Sequence, residues 1–261
     1  MHTIDINCDM GEGVGPVTSN SLDAELMKYV STVNIACGFH AGSATIMHDV
    51  VRLAKLNGVA IGAHPGLADR EGFGRIPQEI SPRESYQITL YQIGALYAFT
   101  KAEGAVLHHV KPHGALYNMA AADRGLADAI AQAVADFDPK LVLYGLSGSE
   151  LIHAGRRVGI TVANEVFADR SYQSDGSLTP RNEPGSVLAD EATVLEHVSA
   201  MVFDRQVVTA DGGSLSIAAD TVCIHGDGEN PLSLAKAIHG YMKRAHIAIQ
   251  PVMNKQPATH E

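Results

Sequence analysis

Cysteine, basic clusters and long apolar stretches are all scarce in this sequence. The cysteines Cys8, Cys37 and Cys223 are an odd number, widely separated and without CxxC spacing, which argues against a disulfide framework or a zinc knuckle. Each lies in an apolar segment, so we expect three small buried hydrophobic residues. The formal net charge is −10 and no Lys/Arg-rich run occurs, so nucleic acid is not an expected partner.

Signals for membranes and secretion are also missing. No apolar run is long enough to span a bilayer, and we expect no membrane partner. Residues 1–20 carry acidic groups and lack the basic start and apolar stretch of a secretory signal. The sequence therefore predicts a soluble, cytoplasmic protein, and its 261 residues, 46% of them hydrophobic, suffice for a sizeable core.

Two glycine-rich stretches do not match the nucleotide-binding or nucleophile motifs that they suggest. GEGVG at residues 11–15 fits neither GxxxxGK[ST] nor GxGxxG, so no P-loop is predicted. GLSGS at residues 145–149 is not the GxSxG of a nucleophile elbow. We expect Ser149 to cap a helix instead.

Seven short runs with strand character alternate with helical segments. The runs are TIDINCD, VNIACGFH, GVAIGAH, LHHVKPH, LVLYGL, ITVANEV and TVCIHGD. This alternation predicts parallel βα units. A capping box at Ser81–Glu84 opens one helix, Asn230-Pro231 opens the last one, and VVTADGGSLSI predicts a hairpin around Asp211-Gly212-Gly213. We expect one domain over residues 1–250 and a flexible C-terminal tail over residues 251–261.

One face of these strands is polar or small, which separates a barrel from an open sheet. In the first run Asp5, Asn7 and Asp9 alternate with apolar residues. Strands of an open doubly wound sheet are apolar on both faces because helices cover both. In a barrel one face meets the helices and the other points to the central axis. The fold class is therefore α/β, a single-domain (β/α) barrel of seven strands.

Ionisable residues gather at the C-terminal ends of the runs, where parallel barrels carry their chemistry. They are Asp9, His40, His64, Lys111, His113, Glu165, His225 and Asp227. In HHVKPHGALYN, period-two alternation places His109, Lys111 and His113 on one face. A solvated edge strand is the alternative for this segment alone. Because the other runs show the same polar ends, we favour a catalytic or binding rim.

The rim set suits a divalent metal ion or acid/base chemistry without metal. Asp9, His40 and His64 come from the first three runs, and one carboxylate with two imidazoles is a common facial ligand set. No HExxH-like motif fixes this choice. Lys111 is most simply a cation for an anionic substrate, although burial could lower its pKa and make it a proton carrier.

Arginines in two loops could bind a ligand or could be ordinary surface residues. Arg70 and Arg75 could clamp a carboxylate or phosphate, or form ordinary surface ion pairs. The long loop at residues 168–190 contains Asp169, Arg170 and Arg181 and could fold over the rim as a lid. A surface loop is the alternative.

Several long motifs together resemble the LamB/YcsF family. They are IDINCDMGEG, NIACGFHAG, GVAIGAHPG, GFGR, YQIGAL, HVKPHGALYN, EVFADRSYQSDGSL and CIHGDG, collinear over residues 3–247. The resemblance implies a barrel-like fold related to the glycoside hydrolase and deacetylase superfamily. It also implies one component of a 5-oxoprolinase that, with partner subunits B and C, converts 5-oxoproline to L-glutamate with ATP hydrolysis.

Roles follow from position and chemistry as hypotheses. We assign Asp9 or Asp227 as the base for water, His113 or His64 as the acid for the leaving nitrogen, and Lys111 to the substrate anion or developing oxyanion. We assign substrate binding to Asn7, Glu12, Asn34, Arg75, Glu165, Arg170 and His225. Two alternatives stay open: a stand-alone metal-dependent amidohydrolase or deacetylase, and a non-catalytic subunit that only binds a metabolite.

Overall fold

The computed structural model describes residues 3–13, 15, 17–226 and 230–254. In chain order the elements are β1 (Thr3–Met10), α1 (Leu22–Leu26), a 3₁₀ turn (Met27–Tyr29), β2 (Thr32–Ala36), α2 (Ala44–Asn57), β3 (Ala60–His64), α3 (Pro82–Ala102), β4 (Leu107–Val110), α4 (Gly114–Ala122), α5 (Arg124–Phe137), β5 (Val142–Leu146), α6 (Glu150–Arg157), β6 (Val162–Phe167), α7 (Glu191–Ser199), a π-helical turn (Ala200–Asp204), β7 (Gln206–Val208), β8 (Ser214–Ser216), β9 (Thr221–Ile224), α8 (Pro231–Arg244) and β10 (Ala248–Ile249).

Seven parallel strands close into a barrel. β1 to β6 pair in sequence order, β6 pairs with β9, and β9 pairs back to β1 with Asp5 opposite Thr221. These strands are the seven runs identified in the sequence, so the predicted seven-stranded (β/α) barrel is confirmed. β7 and β8 form the expected antiparallel hairpin outside the barrel.

The predicted capping box forms at the start of α3, whereas the predicted Ser149 cap of α6 makes no side-chain hydrogen bond. The Ser81 hydroxyl accepts the Glu84 N–H at the start of α3, and the Glu84 carboxylate accepts the Ser81 N–H. α2 ends at Gly58, whose φ of 67° lies in the left-handed region that favours glycine. Ser149 is the first flanking residue of α6, but its hydroxyl makes no capping bond. In the described ranges no helix has the length and hydropathy of a membrane span.

The apolar core lies between the outer faces of the strands and the helices. Ile6 and Cys8 of β1, Val50 of α2 and Ile130 of α5 are fully buried there. Burial of one such aliphatic side chain contributes roughly 1.5–3 kcal/mol. The three cysteines are buried and free, as predicted, but Cys223 is not a purely apolar residue, because its Sγ accepts a hydrogen bond of 3.1 Å from Lys111 Nζ.

The inside of the barrel is polar even at its lower end, where the parallel strands begin. The Asp5 carboxylate is 1% exposed and accepts hydrogen bonds from the hydroxyls of Ser31, Thr32, Tyr144 and Thr221. Burial outweighs these hydrogen bonds and raises the pKa of Asp5 to about 6. The barrel interior therefore carries an ionisable group that the strand alternation pointed inward.

Gly62 and His109 face each other across β3 and β4. A Cβ atom on Gly62 would lie 2.1 Å from His109 Nε2, far inside van der Waals contact. The absence of a side chain at residue 62 makes room for the buried imidazole. That ring stacks on Tyr144 with centroids 4.2 Å apart.

The chain returns to the lower end of the barrel after α8. β10 pairs with β1, and Val252 packs against Val142, Tyr144 and Ala163. The Val252 carbonyl accepts a hydrogen bond of 3.0 Å from His108 Nε2. Of the predicted tail, residues 251–254 thus lie against the barrel, and residues 255–261 are outside the described ranges.

Candidate active site at the barrel mouth

A cavity of about 790 Å³ opens at the C-terminal ends of the strands. The carboxyl ends of parallel strands meet at one end of a barrel, so side chains from distant parts of the sequence converge there. The wall includes Asp9, His64, Arg75, Lys111, His113, Tyr117, Ser149, Phe167, Arg170, Thr179, Arg181 and His225. The predicted clustering of the rim residues is therefore observed for those in the described ranges.

Lys111 is the central cation of the cavity floor. It follows the end of β4, it is 2% exposed, and its Nζ donates to Asp9 Oδ1 at 2.8 Å and to Asn7 Oδ1 at 3.1 Å. Glu165 Oε1 lies 2.9 Å from the same nitrogen. Burial lowers the pKa of a lysine, but Asp9, Cys223 and Glu165 outweigh it and raise the pKa of Lys111 well above its usual 10.5. Lys111 is thus a fixed ammonium rather than a proton carrier.

Asp9 connects the ammonium to the imidazoles. Its Oδ1 also accepts from Asn34 Nδ2 at 2.8 Å, and its Oδ2 lies 3.4 Å from His64 Nε2. Burial raises the pKa of Asp9, but His64 and Lys111 outweigh it and hold this pKa well below the usual 3.8. A carboxylate with so low a pKa stays ionised and is a weak proton acceptor.

Glu12, His40, His64 and His113 form a second group, which we call the histidine cluster. Each contributes one nitrogen or oxygen, and these four atoms lie within 4.8 Å of one another. His113 Nδ1 is 2.9 Å from His64 Nε2, and Glu12 Oε1 accepts from His40 Nε2 at 3.0 Å. Burial, aided by His64 and His40, lowers the pKa of His113 well below its usual 6.5.

Glycines hold the histidine cluster in place. A Cβ atom on Gly66 would lie 2.5 Å from His40 Nδ1, and one on Gly74 would lie 2.7 Å from His40 Cβ. Gly74 also has a φ of +63°, which disfavours any other residue. His40 is therefore packed tightly between two glycine backbones and the ring of His113.

A histidine–aspartate pair completes the rim. His225 Nδ1 donates to the Asp169 carboxylate at 2.8 Å, and one ring nitrogen of His225 lies within 4.8 Å of an Asp9 oxygen. Burial raises the pKa of Asp169, but His225 outweighs it and lowers this pKa below 3.8. Sequence reasoning treated Asp169 as a lid residue and missed this pairing, because the two residues are separated by 56 positions.

Tyr117 is a second residue that sequence reasoning missed. It is 3% exposed, lines the cavity, and its hydroxyl makes no hydrogen bond of acceptable geometry with the described residues. Burial and the nearby Glu165 charge raise the pKa of Tyr117 well above 10, so it remains a donor. Its place inside HVKPHGALYN, on the first turn of α4, was the signal available in the sequence.

The loop at residues 168–190 forms one wall of the cavity, as the lid interpretation requires. Arg170 is 5% exposed, and its guanidinium donates to the carbonyls of Ser186 and Thr179. Burial and nearby Arg181 lower the pKa of Arg170 to about 10. In the other arginine loop, Arg75 lines the cavity with its guanidinium 4.8 Å from the Phe73 ring centre, whereas Arg70 donates to the Gly42 carbonyl.

The remaining predicted residues lie beneath the cavity, outside the described ranges, or in and beside the histidine cluster. Asn7, Asn34 and Glu165 lie beneath the cavity, where Asn7 Nδ2 donates to Glu165 Oε1 and Asn34 Nδ2 donates to Asn7 Oδ1. Asn7 and Glu165 contact Lys111 Nζ from this side, and Asn34 contacts Asn7. Asp227 lies outside the described residues. Of the predicted metal set, His40 and His64 lie in the histidine cluster, while Asp9 stands beside it and contacts Lys111.

Comparison with known proteins gives closely similar relatives. A sequence profile of the LamB/YcsF family matches residues 4–257. The A subunit of 5-oxoprolinase from Geobacillus kaustophilus is 56% identical over 250 residues, covering 96% of this chain and 97% of the relative. A protein of the same name from Bacillus subtilis is 50% identical over 256 residues, covering 98% and 99%.

Solved structures agree with these relatives. The lactam utilization protein from Thermus thermophilus superposes with a TM-score of 0.87 at 44% identity, covering 96% of this chain and 100% of that one. A putative cellobiose-phosphate cleavage protein from Enterococcus faecalis superposes with a TM-score of 0.55 at 12% identity, covering 95% of this chain and 96% of that one. The second likeness concerns the fold alone.

Proposed function

Since this chain belongs to the LamB/YcsF family, we propose that it is the A subunit of a 5-oxoprolinase and opens the lactam ring of 5-oxoproline to give L-glutamate. The observation that carries this proposal is the buried Asp9–Lys111 ion pair at the floor of the cavity, beside the His225–Asp169 pair. The names of the two 5-oxoprolinase relatives and of the Thermus lactam utilization protein support the substrate class.

ATP enters the proposal through the chemistry of the lactam. The carbonyl of a five-membered lactam is an amide and a poor electrophile, and phosphorylation of its oxygen makes the carbon open to attack by water. The sequence contains no P-loop motif. We therefore assign part of the ATP-dependent activation to partner subunits B and C and the ring opening to this barrel. The cytoplasm, where ATP is abundant, is the expected compartment.

Arg75 and Tyr117 are suited to hold the substrate. Arg75 brings a guanidinium to the cavity wall, and a guanidinium matches a carboxylate in a two-point contact. The buried Tyr117 hydroxyl can donate to the phosphoryl group on the activated lactam oxygen and stabilise its negative charge. Lys111 was first assigned to the substrate anion or the developing oxyanion. We now assign it a different role, because its protons are directed to Asn7, Asp9 and Glu165. It supplies a fixed charge that holds Asp9.

His225 is the best placed proton carrier. Its Nδ1–H is held by Asp169, so its Nε2 is the nitrogen left to take a proton from the attacking water. The water oxygen bonds to the lactam carbon, the C–N bond breaks with its electron pair on nitrogen, and His225 returns the first water proton to that nitrogen. The second water proton leaves the added oxygen as the carbonyl of the acyl phosphate forms, and it ends on the same amine. A second water then releases phosphate from the resulting acyl phosphate. Asp9, which stays ionised, accepts a hydrogen bond from the attacking water and orients it.

His113 and His64 are less suited to the acid role first assigned to them. His64 Nδ1 donates to the Lys111 carbonyl at 2.7 Å, and His113 Nε2 donates to the Phe73 carbonyl at 2.9 Å. In its neutral form each imidazole has one N–H, and in both rings this N–H donates to a backbone oxygen. Neither ring then offers a proton to the cavity.

Reconstitution tests the proposal. We expect L-glutamate and ADP to form from 5-oxoproline and ATP only when this chain is combined with subunits B and C. His225→Gln and Asp9→Asn should each lower glutamate formation by at least about 100-fold, whereas His48→Gln, on the outer face of α2, is the matched control. Glutamate formation by the chain alone without ATP would identify a stand-alone amidohydrolase. Unchanged turnover of the His225→Gln and Asp9→Asn complexes would identify a binding subunit.

A further inference from the structure

Two imidazole lone pairs in the histidine cluster point at each other. The N–H groups of His64 and His113 are directed to the carbonyls of Lys111 and Phe73, which leaves His64 Nε2 and His113 Nδ1 as acceptors. These two acceptors lie 2.9 Å apart. Lone pairs at this distance repel unless a positive charge lies between them.

Glu12 adds a third acceptor to the same point. Its Oε1 lies 3.3 Å from His113 Nδ1 and 3.8 Å from His64 Nε2. A proton on His64 could bridge one pair of these atoms, but Glu12 Oε1 and His113 Nδ1 would still face each other as two acceptors, with the His40 N–H donating to Glu12 alone. An ion with two positive charges interacts with all three acceptors at once.

We propose that Glu12 Oε1, His64 Nε2 and His113 Nδ1 bind one divalent transition-metal ion of the zinc class. Ligand atoms at about 2.1 Å from such an ion are about 3.0–3.4 Å apart. The two separations from His113 Nδ1, 2.9 Å and 3.3 Å, match this range, and the third, between Glu12 Oε1 and His64 Nε2, is 3.8 Å. Imidazole and carboxylate ligands suit zinc and its first-row neighbours. Metal-bound histidines commonly donate their other N–H to a backbone carbonyl, as His64 and His113 do.

The ring planes decide which histidines are ligands. A metal ion lies in the plane of each imidazole that binds it. The rings of His64 and His113 are inclined at 83°, so both planes can contain one ion. The rings of His40 and His113 are stacked at 3.7 Å and 2°, so these two cannot share an ion. His40 instead donates to Glu12 Oε1 and orients the carboxylate.

This ligand set differs from the one predicted from sequence, which combined Asp9, His40 and His64. Asp9 Oδ1 is paired with Lys111 and accepts from Asn34. Asp9 Oδ2 lies 3.4 Å from His64 Nε2, but Asp9 is not one of the four residues whose ligand atoms lie within 4.8 Å of one another. Both His64 and His113 line the cavity, which gives the ion a path to the site and leaves coordination positions on the cavity side. The inference does not depend on the substrate, because it concerns binding of the metal alone.

Equilibrium dialysis of the chelator-stripped full-length chain against Zn²⁺, followed by elemental analysis, tests the site. We expect one tightly bound Zn²⁺ per chain, and visible absorption bands from the Co²⁺ form. Glu12→Gln and His113→Gln should each weaken Zn²⁺ binding by at least about 100-fold, and His40→Gln by about 10–100-fold. Asp9→Asn should change it less than about threefold, and His48→Gln is the matched control for a histidine on the protein exterior.

Circular dichroism establishes that each variant is folded, and Glu12→Gln, at a partly exposed side chain, provides the test if His113→Gln does not fold. Absence of stoichiometric Zn²⁺ in the wild-type chain overturns the proposal. So does binding that Glu12→Gln and His113→Gln leave unchanged. Loss of binding in Asp9→Asn with retention in Glu12→Gln would replace this ligand set with the one predicted from sequence.

Discussion

Lys111 Nζ lies 2.8 Å from Asp9 Oδ1 and separates that carboxylate from the one on Glu165. All three groups are buried, so the single ammonium compensates two carboxylates in a region that water does not screen.

Replacement of Lys111 by methionine tests this compensation. Lys111→Met keeps the length of the side chain and leaves two buried carboxylates facing each other, so we expect the free energy of unfolding to fall by about 3–5 kcal/mol at neutral pH. Urea denaturation measures this loss. Lys28→Met removes an exposed ammonium 2.6 Å from Glu25 and should cost less than about 1 kcal/mol. Equal losses in both variants would contradict the prediction.

Tyr117→Phe should separate binding from stability. Its hydroxyl lies near the Glu165 carboxylate without a hydrogen bond of standard geometry, so its removal should change the free energy of unfolding by less than about 1 kcal/mol. We expect kcat/KM of the reconstituted enzyme to fall by about 10²–10³-fold, because a donor to the phosphoryl group on the lactam oxygen is lost.

The control for this change is Tyr172→Phe. The Tyr172 hydroxyl accepts the Phe167 N–H at 2.9 Å and is fully buried. Its removal leaves a buried N–H unpaired and should cost about 1–3 kcal/mol of stability. Wild-type kinetics for Tyr117→Phe would exclude the hydroxyl from the reaction.

Asp169→Asn tests the positioning of His225. The asparagine fits the same space, but its uncharged amide no longer stabilises a protonated His225 ring, so we expect kcat to fall by about 10²–10⁴-fold. The pH dependence of kcat should also shift, which a purely structural role would not produce. Glutamate formation measured from acidic to alkaline pH provides the comparison. An unchanged pH profile would mean that Asp169 only supports the loop.

Asp5 should make stability depend on pH. Its pKa rises from 3.8 to about 6 on folding, so the folded chain holds the proton more tightly than the unfolded chain does. The resulting stabilisation of about 3 kcal/mol is complete below about pH 4 and is lost as the pH rises through about 6. Asp5→Asn does not titrate and should lack this component. Denaturation of both proteins at several pH values measures it, and a constant difference between them would refute the assignment.

Much of the fold could be predicted because it depends on local patterns. The alternation of Asp5, Asn7 and Asp9 with apolar residues identifies an inward polar face without any knowledge of the other strands. The capping box at Ser81 and Glu84 marks the start of α3 for a similarly local reason. β10 escaped prediction because two residues carry too little pattern, and its position depends on Thr3 and Ile4 of β1, which precede the residues that pair with β9.

The location of the site could be predicted from the sequence, but the contacts between its side chains could not. Strand ends identify His64, Lys111 and Glu165 as rim residues, since parallel strands place their carboxyl ends together. Which rim residues contact one another depends on loops, whose paths no periodicity records. Thus Asp169 reaches His225 from the loop after β6, and Glu12 reaches the histidine cluster from the loop after β1.

The fit of Gly62 against His109 has an evolutionary consequence. Any side chain at residue 62 would occupy the volume of the imidazole, and a smaller residue at 109 alone would leave a void beside Tyr144. Neither position can drift alone without a loss of stability, so viable homologues should exchange the two residues as a pair. Packing inside the barrel thus couples the residue choice on β3 to the residue choice on β4.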